Sequence, residues 1–412
     1  MTGLGAMRDP LAELSLEQLR RRTSRKWQTF SPDVLPLWIA ELDVRLAPAV
    51  ADAVHDAIRT GDTGYTAGTA FPEAARGFAA ARWGWDFDVE GTSSVPDVMR
   101  GMTEIVRLLT EPGDRVIVTP PIYPPFYGFS RSAQRAVVEA PLTAAGRLNL
   151  ETLDTAFQAA TQGGRRAVFL LCNPHNPTGA VHTREELSRV AVLAAEHKVR
   201  VISDEIHGPL VLPGASFVPY LTVPGTENAF ALISASKGWN LAGLKAALAI
   251  AGSDAVDDRY RLPVEVPLGA SHLGVIAQTA AFRDGGAWLD DLISSLDRNR
   301  TLLTDLIRTE LCGIEFSPPQ ATFLAWLDCR RLYEQTCPVS AADFFLDQAR
   351  VALNPGAPFG AGDGFVRLNF GTNPAILRDA IHLMSAALAG GAAARQASPG
   401  QAAASNLRTT CA

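Results

Sequence analysis

Four short runs constrain the fold of this chain more than anything else in it: Ala167–Cys172 (AVFLLC), Val199–Ser203 (VRVIS), Ala229–Ile233 (AFALI) and Ala247–Ala251 (ALAIA). Most of their apolar residues are consecutive rather than alternate, the pattern of strands covered on both faces. An amphipathic stretch, Thr183–His197, follows the first run and carries Glu185 and Glu186 in its first turn. Upstream, a helical stretch at Arg100–Thr110 ends in Pro112-Gly113 and leads into Arg115–Thr119 (RVIVT). Apolar strands separated by helices predict an α/β fold with a mostly parallel sheet. In such sheets ligands sit beyond the carboxyl ends of the strands. Asn173, Asn176, Asp204, His207 and Lys237 all fall just past strand ends.

The pattern changes near Gly285. A long helical stretch at Trp288–Thr309 is followed by Ala321–Asp328 (ATFLAWLD), a helix at Ser340–Arg350, the strand Phe365–Phe370 and a last helix near Pro374–Leu388. The 412 residues therefore read as a large domain (51–284) and a smaller α+β domain (285–390). Residues 1–50 are expected to pack on the smaller domain. The tail 391–412, rich in Ala, Gly, Ser and Gln, is expected to be disordered.

The net charge of −6 and the scattered basic residues argue against a nucleic-acid partner. The one basic cluster, Arg20, Arg21, Arg22, Arg25 and Lys26, reads as a solvated helix face or a subunit contact. Five cysteines without a CxxC pair suggest reduced thiols and a cytoplasmic location. No stretch is long enough to span a bilayer, so no membrane partner is expected. His175 and His182 lack metal-ligand spacing, and no metal is expected.

The chemistry concentrates in SASKGWNLAGLK, residues 234–245. Lys237 follows small residues that let a planar group approach the backbone, and its amine can form a Schiff base with an aldehyde. Lys245, eight positions on, can neutralise a phosphate. Asn173–Gly179 (NPHNPTG) places two asparagine amides in a proline-stiffened loop, where a plain turn would need only Pro and Gly. Asp204 ends an apolar strand, so its buried carboxylate needs a cationic partner, which a protonated pyridine nitrogen supplies. A helix N-cap is the plainer reading of that aspartate. His207 fits either a cofactor contact or a satisfied structural histidine.

Together with Tyr65 in GYT, Tyr123 in PPIYPPF and Arg367 in VRLNFGT, these motifs follow the order found in fold-type-I, pyridoxal-phosphate-dependent aminotransferases. The chain resembles that superfamily over about residues 20–390. Within it, RRTSRKWQ (21–28), LPLWIAELD (35–43), the histidine three residues past Asp204 and AAFRDGGAWLDDL (280–292) look like the MalY/PatB cystathionine β-lyases. The resemblance implies the aspartate aminotransferase fold, with a seven-stranded sheet in the large domain. It also implies pyridoxal 5'-phosphate as cofactor. Lys237 would bind it covalently and act as base, and Asp204 would pair with the pyridine nitrogen. Asn176 would meet the ring hydroxyl, with His207 on the same side, and Tyr123 would stack on the ring. Ser234, Lys245 and the main-chain amides of Val98 and Met99 would hold the phosphate. The family often has small or hydroxylated residues in that phosphate turn, and Val98-Met99-Arg100 departs from this. Arg367 would clamp the substrate carboxylate, with Ala40 and Asn176 beside it. Tyr65 would reach the neighbouring subunit's site in a homodimer. The implied reaction is β-elimination from L-cystathionine or a related cysteine S-conjugate; amino-group transfer and a regulatory role on the same fold are the alternatives.

Overall fold

Consecutive apolar residues become strands here because helices close over both faces of the sheet they form. The computed structural model describes residues 8–331 and 340–396. In chain order its strands are β1 (Leu35–Pro36), β2 (Thr92–Val95), β3 (Arg115–Val118), β4 (Ala136–Glu139), β5 (Ala167–Cys172), β6 (Arg200–Asp204), β7 (Phe230–Ile233) and β8 (Ala247–Ala251), followed by β9 (Glu315–Phe316), β10 (Leu324–Asp328), β11 (Val351–Ala352), β12 (Asn354–Pro355) and β13 (Phe365–Asn369). A seven-stranded sheet runs in the order β2-β8-β7-β6-β5-β3-β4. Strand β8 is antiparallel to both its neighbours, and the pairs from β7 through β6, β5 and β3 to β4 are parallel. All six residues of β5 and all four of β7 are buried. Each large apolar side chain so buried contributes roughly 1.5–3 kcal/mol.

Two strands escape the apolar-run reading. Strand β2 (TSSV) is rich in hydroxyls, and β4 (AVVE) lies at the sheet edge with no buried residue. The helix Arg184–Glu196 begins where its first-turn glutamates predict. Thr183 and Glu186 form a capping box, each side chain bonding the other's backbone N–H. The helix Val98–Leu109 lies tight on the sheet. A Cβ at Gly101 would come within 2.7 Å of Leu232 Cδ2 and 2.8 Å of Val95 Cγ2, so only glycine allows this approach.

The C-terminal part carries an antiparallel sheet in the order β12-β13-β10-β9, with the helices Gly286–Glu310, Ala341–Ala349 and Pro374–Gln396. The last helix continues six residues into the stretch expected to be a tail, and residues 397–412 lie outside the described ones. The N-terminal segment returns to this part, where β1 pairs in parallel with β11.

The basic cluster divides. Arg20, Arg21 and Arg25 are exposed, as a solvated face would be. Lys26 is not: it is 1% exposed and bonds Asp43 at 2.8 Å, while Arg22 donates to the carbonyls of Leu42 and Val44. Both basic groups anchor residues 41–44. The helix Arg25–Gln28 turns Lys26 and Trp27 inward together, where Asp43 accepts from both.

Candidate active site

A cavity of about 260 Å³ opens at the carboxyl ends of β5 and β6 and at the start of the helix Val98–Leu109. Lys237, two residues into the turns after β7, lines it, and its Nζ donates to Ala40 O at 2.8 Å. Burial, then the nearby Arg367 guanidinium, lowers the Lys237 pKa to about 8. That carbonyl lies in the segment 37–43, which crosses the cavity as a strap. Asn240 exchanges two hydrogen bonds with Leu42, each 2.9 Å. Asn369 donates to Ile39 O and Glu41 O, both at 2.7 Å. The position of Ala40 over Lys237 is thus set from two directions.

Asp204 ends β6 and is 5% exposed. Burial pushes its carboxyl up to about 7, opposed by the Ile206 N–H at 3.1 Å and by Lys237. A carboxylate this poorly compensated is suited to a cation arriving in the cavity. His207 is buried, and burial, followed by Lys237 and Arg367, holds its imidazole neutral. Its Nδ1 has no hydrogen-bond partner among the described residues. Tyr123 and Asn176 line the same wall.

Arg367 lies behind Asn176 and is 3% exposed. Its guanidinium donates to Asn176 Oδ1 at 3.0 Å, Asn354 Oδ1 at 2.8 Å and Trp38 O at 3.2 Å. Burial lowers its pKa to about 10, which still leaves it charged at neutral pH. Arg367 does not itself line the cavity, and these partners hold it behind Asn176; a planar guanidinium is the group that suits a carboxylate.

At the far end, Val98 and Met99 open the helix Val98–Leu109, and Lys245 faces them. Lys245 Nζ bonds Asp97 Oδ2 at 2.9 Å, while Asp97 Oδ1 accepts from the Arg100 N–H at 2.8 Å. Motif order gave no warning of Asp97, although an aspartate just before a helix is a recognisable N-cap.

Two expected residues are placed differently. The Ser234 hydroxyl points into the interior, donating to Ala246 O at 3.0 Å and sharing Gln278 with the Ala235 N–H. Ser236, which the sequence reading passed over, lines the cavity instead. Gln278 is buried and claims the first hydroxyl, a long-range contact that no local pattern reveals. Tyr65 is 85% exposed and does not reach the cavity of its own chain. Arg259 and Arg261 bond Glu90 O and Asp258 and do not line the cavity.

The residues suit pyridoxal phosphate. They offer a half-buried amine for its aldehyde, a carboxylate for its ring nitrogen, an imidazole nitrogen without a partner among the described residues, and a lysine beside a helix start for its phosphate. The one unsuited feature is the Asp97 carboxylate at that phosphate end.

The model of the family "Aminotransferase class I and II" matches residues 34–383. A protein of Mycobacterium leprae is 55% identical over 395 residues, spanning 92% of this chain and 98% of its own. Cystathionine beta-lyase PatB of Bacillus subtilis is 34% identical over 373 residues, 86% of this chain and 93% of the relative. Among solved structures, the PLP-bound C-S lyase from Staphylococcus hominis superposes with a TM-score of 0.83 at 26% identity, covering 90% and 96% of the two chains.

Proposed function

The chain belongs to the class I and II aminotransferase family, and from that premise we propose that it is a pyridoxal-phosphate-dependent carbon–sulfur β-lyase. Its substrates are L-cystathionine or related cysteine S-conjugates, which it converts with water to a thiol, pyruvate and ammonia. The observation that carries this reading is the placing of a half-buried amine, Lys237, and a buried carboxylate, Asp204, on one cavity. Support comes from relatives named for this activity, such as the Bacillus subtilis protein.

When bound, pyridoxal phosphate supplies an aldehyde for amines and a ring that accepts the electron pair left at Cα. The residues of this chain do the rest. Asp204 would hold the ring nitrogen protonated through a charge-assisted hydrogen bond. Arg367 takes the substrate carboxylate as a planar fork, which fixes which Cα bond faces the lysine. The Lys237 amine would remove the Cα proton as general base. Its pKa of about 8 keeps a useful fraction of the amine neutral near physiological pH. The β-sulfur then departs as a thiol, and the three-carbon remainder takes up water to give pyruvate and ammonia. Ala40 of the strap 37–43 holds the Lys237 amine by its carbonyl.

Incubating the purified protein with L-cystathionine, without a keto acid, is expected to release one thiol per pyruvate. Faster amino-group exchange with a keto acid, with no pyruvate formed, would select the transaminase instead. Replacing Arg367 by Ala should lower kcat/KM by about 10²–10³-fold, mostly through KM, since a buried charge-assisted contact to the substrate is lost. Unchanged KM in steady-state assays would remove Arg367 from the site.

We further infer a homodimer in which Tyr65 reaches the partner's phosphate end, a reading supported by the exposure of that ring. A cytoplasmic setting agrees with Cys172, Cys312 and Cys329 being free thiols. Cys337 and Cys411 lie outside the described residues. Among the described residues no helix is long and apolar enough to cross a membrane.

A further inference from the structure

We propose that Asp97 sets how tightly this protein retains its cofactor, by placing a carboxylate where the phosphate must bind. This inference rests on the pyridoxal-phosphate reading above. A helix start offers backbone N–H groups and positive potential to an anion, and a lysine opposite completes an anion cup. Here the lysine and one of those N–H groups are already engaged by the chain itself. Asp97 Oδ1 accepts from the Arg100 N–H at 2.8 Å, and Asp97 Oδ2 accepts from Lys245 Nζ at 2.9 Å. Asp97, Val98, Met99, Ser236 and Lys245 all line the same cavity. The carboxylate therefore mimics one face of the group it awaits.

Three further observations give Asp97 its leverage. Ser234 is bonded to Ala246 O and Gln278, so its hydroxyl is not presented to the cup. The helix packs closely on the sheet, since a Cβ at Gly101 would clash with Leu232 and Val95. Lys245 is the one lysine other than Lys237 on the cavity wall. An incoming phosphate must then share Lys245 with Asp97 and lie beside a like charge. The side chain of Asp97 is 34% exposed, so solvent screens the repulsion without removing it. Cofactor exchange becomes a property of this one position.

The test uses the cofactor-free full chain, wild type and Asp97→Asn, titrated with pyridoxal phosphate and separately with pyridoxal, which lacks the phosphate. Asparagine caps a helix as well as aspartate, so the start of the helix is preserved. Visible absorbance should show Asp97→Asn binding pyridoxal phosphate about tenfold more tightly, from loss of a like charge at a helix N-terminus. Its release after dilution should slow correspondingly. Affinity for pyridoxal should stay within about twofold, since that ligand brings no charge to the cup. Unchanged or weaker binding of pyridoxal phosphate by Asp97→Asn overturns the proposal, as does equal tightening of pyridoxal. If wild type takes up neither aldehyde, the lyase reading fails and this inference goes with it. Normal uptake by wild type with no effect at position 97 removes this inference alone.

Discussion

The Lys237→Ala protein is expected to be colourless in the visible band after incubation with pyridoxal phosphate and rapid desalting, and its kcat/KM should fall by about 10⁴-fold or more. Two losses combine in one side chain. The covalent attachment that resists desalting disappears, and so does the base that takes the Cα proton. Nothing described on the cavity wall replaces it, since Lys245 bonds Asp97 at the far end and the buried His207 is held neutral and far less basic than an amine. Folding should survive, because the lysine amine makes one hydrogen bond, to Ala40 O. A yellow Lys237→Ala protein with near-normal turnover would refute the assignment of the anchor. Circular dichroism matching wild type separates this outcome from misfolding.

The second large effect concerns stability. Lys26→Met should destabilise the protein by about 3–5 kcal/mol, because it leaves the Asp43 carboxylate buried without its cation. Lys26 and Asp43 are each 1% exposed, and their side chains meet at 2.8 Å. Lys26 also donates to Glu41 O at 3.1 Å, and Trp27 Nε1 to the second Asp43 oxygen at 3.1 Å. The Asp43 N–H reaches Gly371 O at 2.9 Å, so the pair joins the strap to the turn after β13. Replacing both ions, as Lys26→Met with Asp43→Leu, should cost less than Lys26→Met alone, since no unpaired charge remains. Urea unfolding of the cofactor-free proteins measures both. A Lys26→Met variant within about 1 kcal/mol of wild type would mean the pair is solvated, as surface pairs are.

The sheet and its ligand-binding edge were legible because continuous apolar runs leave few alternatives to a doubly covered strand. AVFLLC became β5 over the residues expected, and VRVIS became β6 displaced by one residue, so that it ends on Asp204. Hydroxyl-rich β2 carries no such signal, since its burial comes from β8 and from the helix that packs on it. The gathering of Lys237, Asp204 and Asn176 on one cavity was legible because all three follow strand ends. The site was obscure where long-range contacts decide direction. Gln278 turns Ser234 inward from 44 residues away, and no spacing rule anticipates that. Lys26 was misjudged for the same reason, because its partner Asp43 lies 17 residues on and a basic cluster looks solvated by default. Asp97 was overlooked because motif order draws attention to the residues after it.

The stitching of residues 37–43 also bears on how the protein is made. Trp38 and Ile39 leave the ribosome early, yet Arg367 and Asn369, which hold their carbonyls, follow 329 and 330 residues later. At roughly 5–20 residues per second that interval is on the order of half a minute. Throughout it the strap lacks these bonds, and only synthesis of β13 supplies the groups that hold the Trp38 and Ile39 carbonyls.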